Sequence, residues 1–160
     1  MARVTKGQHY LDIARTLTKR STCLRRMYGA VIVNNDEIIS TGYNGAPRCE
    51  ANCCDTGVCE RERLNVPKGE RYELCVAVHA EQNAIISAER DRMIGGTIYI
   101  VGVNTVDGTY ASGKPCLICI RMILNAGIKN VVYIDSNGDV VSTDPRDIIS
   151  EYNKQFGIGY

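Results

Sequence analysis

His79-Ala80-Glu81 and, further along, Pro115-Cys116-Leu117-Ile118-Cys119 are the two stretches on which the reading of this chain turns. His79, Cys116 and Cys119 supply three donors, the number a hydrolytic zinc ion takes from protein while one position stays open for water. The residues from Ala80 to Arg90 (AEQNAIISAER) read as a helix, with Ala84, Ile85 and Ala88 on one apolar stripe and His79 at its amino end. Glu81 then lies inside the first turn, beside the metal. Cys116 and Cys119 open a second helix (CLICIRMILNAG), three positions apart, so both sulfurs share a face. Pro115 precedes that helix, whose positive end favours thiolate over thiol. Glu81 is not needed as a fourth ligand so close to His79 and is better used to move protons.

Each half of this constellation has a plainer meaning alone. A solitary C-x-x-C at a helix start serves equally as a redox pair or a structural metal half-site, and a solitary His-x-Glu is surface decoration. Together, in this order, each opening a helix, they point to one metal centre. His9, the other of the two histidines, has no such company.

Outward from these stretches the chain alternates helix and strand. Tyr10, Ile13, Ala14 and Leu17 recur at helical spacing, which predicts an amphipathic helix over residues 6 to 19 that covers a sheet. Ala30-Val31-Ile32-Val33 and Glu37-Ile38-Ile39-Ser40-Thr41, joined by Asn34-Asn35-Asp36, form a hairpin that runs into the loop Gly42-Tyr43-Asn44-Gly45. Gly95-Gly96 ends the His79 helix, Thr97 to Val101 is a strand, and Asn104 to Lys114 is a polar loop leading to Pro115. The Cys116 helix stops at Gly127, Asn130 to Ile134 is a fourth strand, and Ser136-Asn137-Gly138-Asp139 turns tightly into a short fifth, Val140 to Ser142. Asp144 caps and Pro145 starts a final helix through Ile148, Ile149 and Tyr152. The order predicts one α/β domain over residues 1–160, in three α/β/α layers around a central five-stranded mixed sheet, with the amino ends of both metal-binding helices at one sheet edge.

Residues 46–75 lack periodicity, and a loop of that length inside a compact domain needs something to tie it down. Cys49, Cys53, Cys54, Cys59 and Cys75 lie in it, and Cys23 precedes the first strand. Four ligands drawn from these six would make a structural zinc clip that offsets the entropy of ordering the loop; the alternative is free thiols buried as small hydrophobes.

The chain has 160 residues, 44% of them hydrophobic, enough for a proper core. A net charge of +1 is not the basic excess of a nucleic-acid binder. The amino terminus has no long apolar run and no segment could span a bilayer, so no membrane partner and a cytoplasmic location are expected. In that reducing compartment, metal ligation accounts for eight cysteines better than disulfides do.

The order H-x-E, then P-C-x-x-C, is the pattern of zinc-dependent nucleobase deaminases. From roughly Ser21 to Tyr133 the chain resembles the cytidine deaminase superfamily, and within it the deoxycytidylate branch. Ser21-Thr22-Cys23-Leu24-Arg25-Arg26, Gly29 to Val33, Ile39 to Pro47, His79 to Ile85 and Asn125 to Lys129 carry the resemblance. It implies a cytidine-deaminase-like fold and zinc-dependent conversion of dCMP to dUMP for thymidylate synthesis. Glu81 would pass a proton from water to the ring nitrogen and help expel ammonia. The resemblance also implies a homo-oligomer, often a hexamer, switched on by dCTP with Mg2+ and off by dTTP. Asn44 would hold the sugar and the backbone of Ala80 the cytosine carbonyl. A structural zinc on Cys23 and Cys53 fits the family pattern, with Cys59 and Cys75 as partners and Cys49 and Cys54 in reserve. Arg25 and Arg26 fall near the pocket and carry the charge a phosphate needs, and Tyr133, ending the fourth strand, could flank the base.

Two departures from the family stand out. The loop from Val103 to Lys114 is longer than usual and lies beside the pocket, and the family's last strand usually runs parallel after a helical crossover, where Ser136 to Asp139 predicts an antiparallel return. Two neighbouring readings share the zinc chemistry: acceptance of dCTP, and deamination of adenosine in transfer RNA, against which the near-zero charge argues. A non-catalytic zinc protein would have no use for Glu81.

Overall fold

The computed structural model describes residues 1–159. β1 (Arg26–Asn34) and β2 (Glu37–Tyr43) form the expected hairpin, turned by Asn35 and Asp36, which both take positive φ (48° and 64°) as tight two-residue hairpins demand. β3 (Thr97–Asn104) lies antiparallel to β1 along its whole length. β5 (Asn130–Ile134) runs parallel to β3, and β6 (Val140–Thr143) returns antiparallel to β5, as the Asn137-Gly138 turn predicted. The order is β2-β1-β3-β5-β6.

A sixth strand, β4 (Tyr110–Ala111), was not expected. It occupies the edge of β3 beyond the end of β5, pairing Gly102 with Ala111 and Val103 with Tyr110. With two residues it has no alternation to betray it.

Period-two alternation in the central strands feeds two cores. Val31, Val33, Val101 and Val103 face α1 (Lys6–Thr18), which buries Tyr10, Leu11 and Ala14 against them. Ala30, Ile32, Ile98 and Ile100 face the opposite way, under three helices: α4 (Ala80–Ile86), α6 (Leu117–Asn125) and α7 (Pro145–Phe156). Each fully buried Ile or Leu contributes about 2 kcal/mol from apolar area removed from water. The result is the predicted three-layer α/β/α arrangement, with both site-bearing helices in the same layer.

The helix expected over residues 80–90 is shorter. α4 ends at Ile86, where β-branched Ile85 and Ile86 meet Ser87, and Glu89 is extended before α5 (Arg90–Met93) begins. Residues 46–75 hold two single-turn helices, α2 (Cys53–Thr56) and α3 (Glu60–Arg63), and a 3-10 turn at Tyr72–Leu74. No helix among the described residues is long and apolar enough to cross a membrane.

Candidate active site

α4 is fixed to the sheet before it contributes any chemistry. The buried Ser40 hydroxyl donates to the Ala84 carbonyl at 2.6 Å, and Asn83 Nδ2 donates to the Tyr43 carbonyl at 2.8 Å, so β2 holds the middle of the helix. Gln82 closes the amino end by accepting the His79 N–H at 2.8 Å. His79 is thereby the N-cap of α4, and Cys116 is the N-cap of α6. Two helix starts, each with unsatisfied amides and a partial positive charge, face a common point.

At that point the three donors converge. His79 Nδ1 lies 3.5 Å from Cys116 Sγ and 3.3 Å from Cys119 Sγ, and all three atoms lie within 4.8 Å of one another. A tetrahedral zinc ion, with bonds near 2.3 Å to sulfur and 2.0–2.1 Å to nitrogen, holds nitrogen and sulfur about 3.5 Å apart. The donor set and its spacing therefore fit zinc. One sulfur is already primed for it: Cys119 beside it and His79 hold the Cys116 thiol down to about 4, against the resistance of burial. Cys119 is pushed up in turn, because the Cys116 thiolate next to it accepts its proton and burial adds to the effect. Burial disfavours a charged His79, yet the bond to Cys116 and the charge of Glu81 outweigh it and raise its pKa.

Glu81, in the first turn of α4, is only 6% exposed. Burial pushes its carboxyl up, partly offset by His79. An acid held above the usual carboxylate range beside three metal donors is suited both to take and to return a proton.

One pocket opens onto these groups and gathers most of the expected residues. Asn44, Ala80, Arg25 and Arg26 line it, with Cys23, Cys59 and Cys75. Asn44 is buried; its Oδ1 accepts the Tyr28 N–H at 2.8 Å and its Nδ2 donates to the Arg26 carbonyl at 2.9 Å, leaving a second Nδ2 hydrogen. Ala80, fully buried, offers the first amide of α4. Arg25 pairs with Glu62 at 3.0 Å. Tyr133 goes elsewhere: it is 9% exposed, packed in the core beneath α4 and α6, and not part of the pocket wall.

The six remaining cysteines do not converge as the first three do. Among the described residues, only His79, Cys116 and Cys119 bring three donor atoms within 4.8 Å. Cys53 is buried, with Cys23, Cys59, Cys75 and Cys54 around it, and its thiol is pushed up by burial and by those neighbours. Cys49 is exposed, at φ 71°.

Arg61, Lys68, Tyr72 and Lys114 also line the pocket and were not anticipated. Lys114 directly precedes Pro115 and could have been read from that position. The other three reach the pocket only because the Cys-rich segment folds back over it, which spacing does not reveal.

Comparison with known proteins bears on the same residues. The family profile described as "Cytidine and deoxycytidylate deaminase zinc-binding region" matches residues 4–135. The chain is 38% identical over 125 residues to a deoxycytidylate deaminase of Schizosaccharomyces pombe, covering 78% of this chain and 35% of that protein. It is 37% identical over 139 residues to a deoxycytidylate deaminase of Mycobacterium phage D29, covering 83% of this chain and 97% of the relative. The chain thus spans little more than a third of the yeast protein and nearly all of the phage one. The crystal structure of dCMP deaminase from the cyanophage S-TIM5 in complex with dCMP and dUMP superposes with a TM-score of 0.60 at 24% identity, covering 94% of each chain; that likeness is one of fold.

Proposed function

Because the chain belongs to the cytidine and deoxycytidylate deaminase zinc-binding family, we propose that it hydrolyses dCMP to dUMP, with water entering and ammonia leaving. The observation that carries this is the buried carboxyl of Glu81 set against the His79, Cys116 and Cys119 donors, at the base of a pocket with basic side chains on its wall. The names borne by the yeast and phage relatives support the choice of substrate.

A zinc ion held by His79 Nδ1 and the two sulfurs supplies the Lewis acidity that brings the ionisation of water near neutral pH. The chain's own residues do the rest. Glu81 would take a proton from water on a carboxyl oxygen and deliver it to N3 of cytosine as the water oxygen bonds C4, then pass the proton of the new C4 hydroxyl to the amino group as the C4–N bond breaks and ammonia leaves. The Ala80 amide holds the cytosine carbonyl, and the free Nδ2 hydrogen of Asn44 meets the sugar. Arg26, with no carboxylate partner of its own, lies on the wall toward the phosphate.

Ammonia release from cytidine, dCMP, dCTP and transfer RNA tests the reading, each with and without dCTP plus Mg2+ and dTTP. We expect dCMP to give the highest kcat/KM, with dCTP raising it and dTTP lowering it. Turnover of transfer RNA with none of dCMP would overturn the assignment.

Three further proposals belong to the same reading. Residues 1–160 act as one deaminase domain. Copies of it assemble into a homo-oligomer, a hexamer by resemblance, whose mass light scattering would report. A second zinc is held by Cys23, Cys53, Cys59 and Cys75, supported by the grouping of those thiols around buried Cys53; Cys49 and Cys54 stand in reserve. Metal analysis should then give two zinc ions per chain, falling to one in Cys75→Ala, and a single ion in the unaltered protein would remove the second site.

A further inference from the structure

The Cys-rich segment carries a buried charge that none of the chemistry above uses. Arg61, on α3, is 8% exposed, a state arginine almost never reaches unpaired. Its Nη2 donates to the carbonyls of Pro67 and Glu70 at 2.8 and 2.6 Å. Its Nε is shielded from solvent with no hydrogen-bond partner. Nη1 makes no hydrogen bond and is not among the fully shielded atoms, and Arg61 lines the pocket. Among the described residues no carboxylate pairs with this guanidinium, although the chain forms six other ion pairs.

Its place in the pocket says what is missing. The guanidinium lies over the Tyr72 ring, 4.9 Å from the centroid, and that ring meets His79 edge-on at 5.4 Å. Two such steps lead from the metal donors to the cation, the reach of a nucleotide from base to phosphate. Of the other basic groups on the wall, Arg25 is paired with Glu62 at 3.0 Å and Lys114 with Glu151, while Arg26 and Lys68 have no carboxylate partner; Arg61 differs from those two in being buried. A buried, hydrogen-bonded cation without a counter-ion is costly unless a ligand brings the anion, and a guanidinium can hold two carbonyls through one nitrogen while offering another to a phosphate, which a single ammonium cannot do as well.

We propose that Arg61 receives the 5′-phosphate of the substrate on the Nη1 side of its guanidinium, and so joins Arg26 in separating nucleotide from nucleoside. The proposal rests on the dCMP reading above. It makes the Cys-rich segment part of substrate selection, since the hydrogen bonds to Pro67 and Glu70 hold the cation in place from within that segment.

Binding of dUMP and of deoxyuridine to the purified zinc protein, by calorimetry, tests it together with kcat and KM for dCMP. In Arg61→Gln, dUMP affinity should fall on the order of 30-fold, as for loss of a charge-assisted hydrogen bond. KM for dCMP should rise in step with kcat held, and deoxyuridine affinity should stay within about twofold. Arg61→Lys keeps the charge and serves if the Gln variant does not fold; its dUMP affinity should drop roughly five- to tenfold, because one ammonium must serve both the carbonyls and the phosphate. Equal weakening of both ligands would mean that Arg61 only fastens the segment, and unchanged dUMP affinity in either folded variant would also overturn the proposal. If the unaltered protein neither turns over dCMP nor binds dUMP, it is the functional reading that fails.

Discussion

Gly42 is the point at which packing and chemistry can be separated by one methyl group. It sits in β2 directly beneath α4, and a Cβ placed there would press on the Ala80 carbonyl oxygen, 2.5 Å from the Ala84 amide nitrogen and 3.1 Å from the Asn83 carbonyl carbon. Ordinary contact begins at 3.4 Å, so the helix must retreat by about 1 Å, and because every obstacle is backbone no rotamer change relieves it. That helix carries His79 at its cap and Glu81 in its first turn. Overpacking of this kind costs about 1–3 kcal/mol of stability, while a shift of about 1 Å in a reacting group costs on the order of 100-fold in rate. Gly29 provides the control. Its Cβ would strike the Ala14 carbonyl and come within 3.0 Å of Leu17 Cβ, the same kind of strain against α1 on the opposite face of the sheet, where no site group lies. Gly42→Ala and Gly29→Ala should lose similar stability in urea titration, yet only Gly42→Ala should lose about 100-fold in kcat per folded molecule. Equal kcat in the two variants would refute the idea that β2 sets the position of Glu81.

Glu81→Gln should retain zinc and its melting temperature while kcat drops by about 1,000-fold, within the range for loss of a general acid–base; near-normal turnover removes Glu81 from the proton path. Cys116→Ala should bind one zinc ion fewer than the unaltered protein and lose activity with it, and an active variant lacking that ion would contradict the donor assignment. Burial pushes the Tyr28 hydroxyl up to about 12. A raised folded-state value stabilises the protein fully below the unfolded value near 10 and is lost as pH climbs through 12, so Tyr28 contributes about 2–3 kcal/mol to alkaline destabilisation over that window. Tyr28→Phe should flatten stability against pH between 10 and 12, and an identical slope in both proteins would count against burial as the cause.

The features that depend on local chemistry could be read from residues alone. Val31 and Ile32 alternate toward two cores, Asn35-Asp36 and Asn137-Gly138 demand tight turns, and His79 and Cys116 each open a helix, so the first hairpin, the antiparallel last strand and the three-donor centre followed from spacing. The misreadings share a cause. β4 exists because β3 outruns β5 and leaves a length of edge unpaired, which is a property of the assembled sheet and not of Tyr110 or Ala111. α4 stops early because Ile85, Ile86 and Ser87 together weaken the helix, an effect that the apolar stripe through Ala88 conceals. Tyr133 looks like a base-flanking residue by its place at a strand end, but β5 alternation turns it into the core. Arg61 and Tyr72 reach the pocket through the fold-back of a segment with single-turn helices, where no period exists to be read.

The pairing of Gly102 with Ala111 and Val103 with Tyr110 has one more consequence. By re-anchoring the chain on β3, it resets the path before Pro115, so that the exposed bend from Thr105 to Thr109 touches the pocket wall only where the Thr105 N–H donates to the Arg25 carbonyl at 3.1 Å. A peptide tag or a fluorophore grafted at the bend's tip, Val106 and Asp107, should therefore leave zinc binding by His79, Cys116 and Cys119 unchanged, as metal analysis of the tagged protein would show.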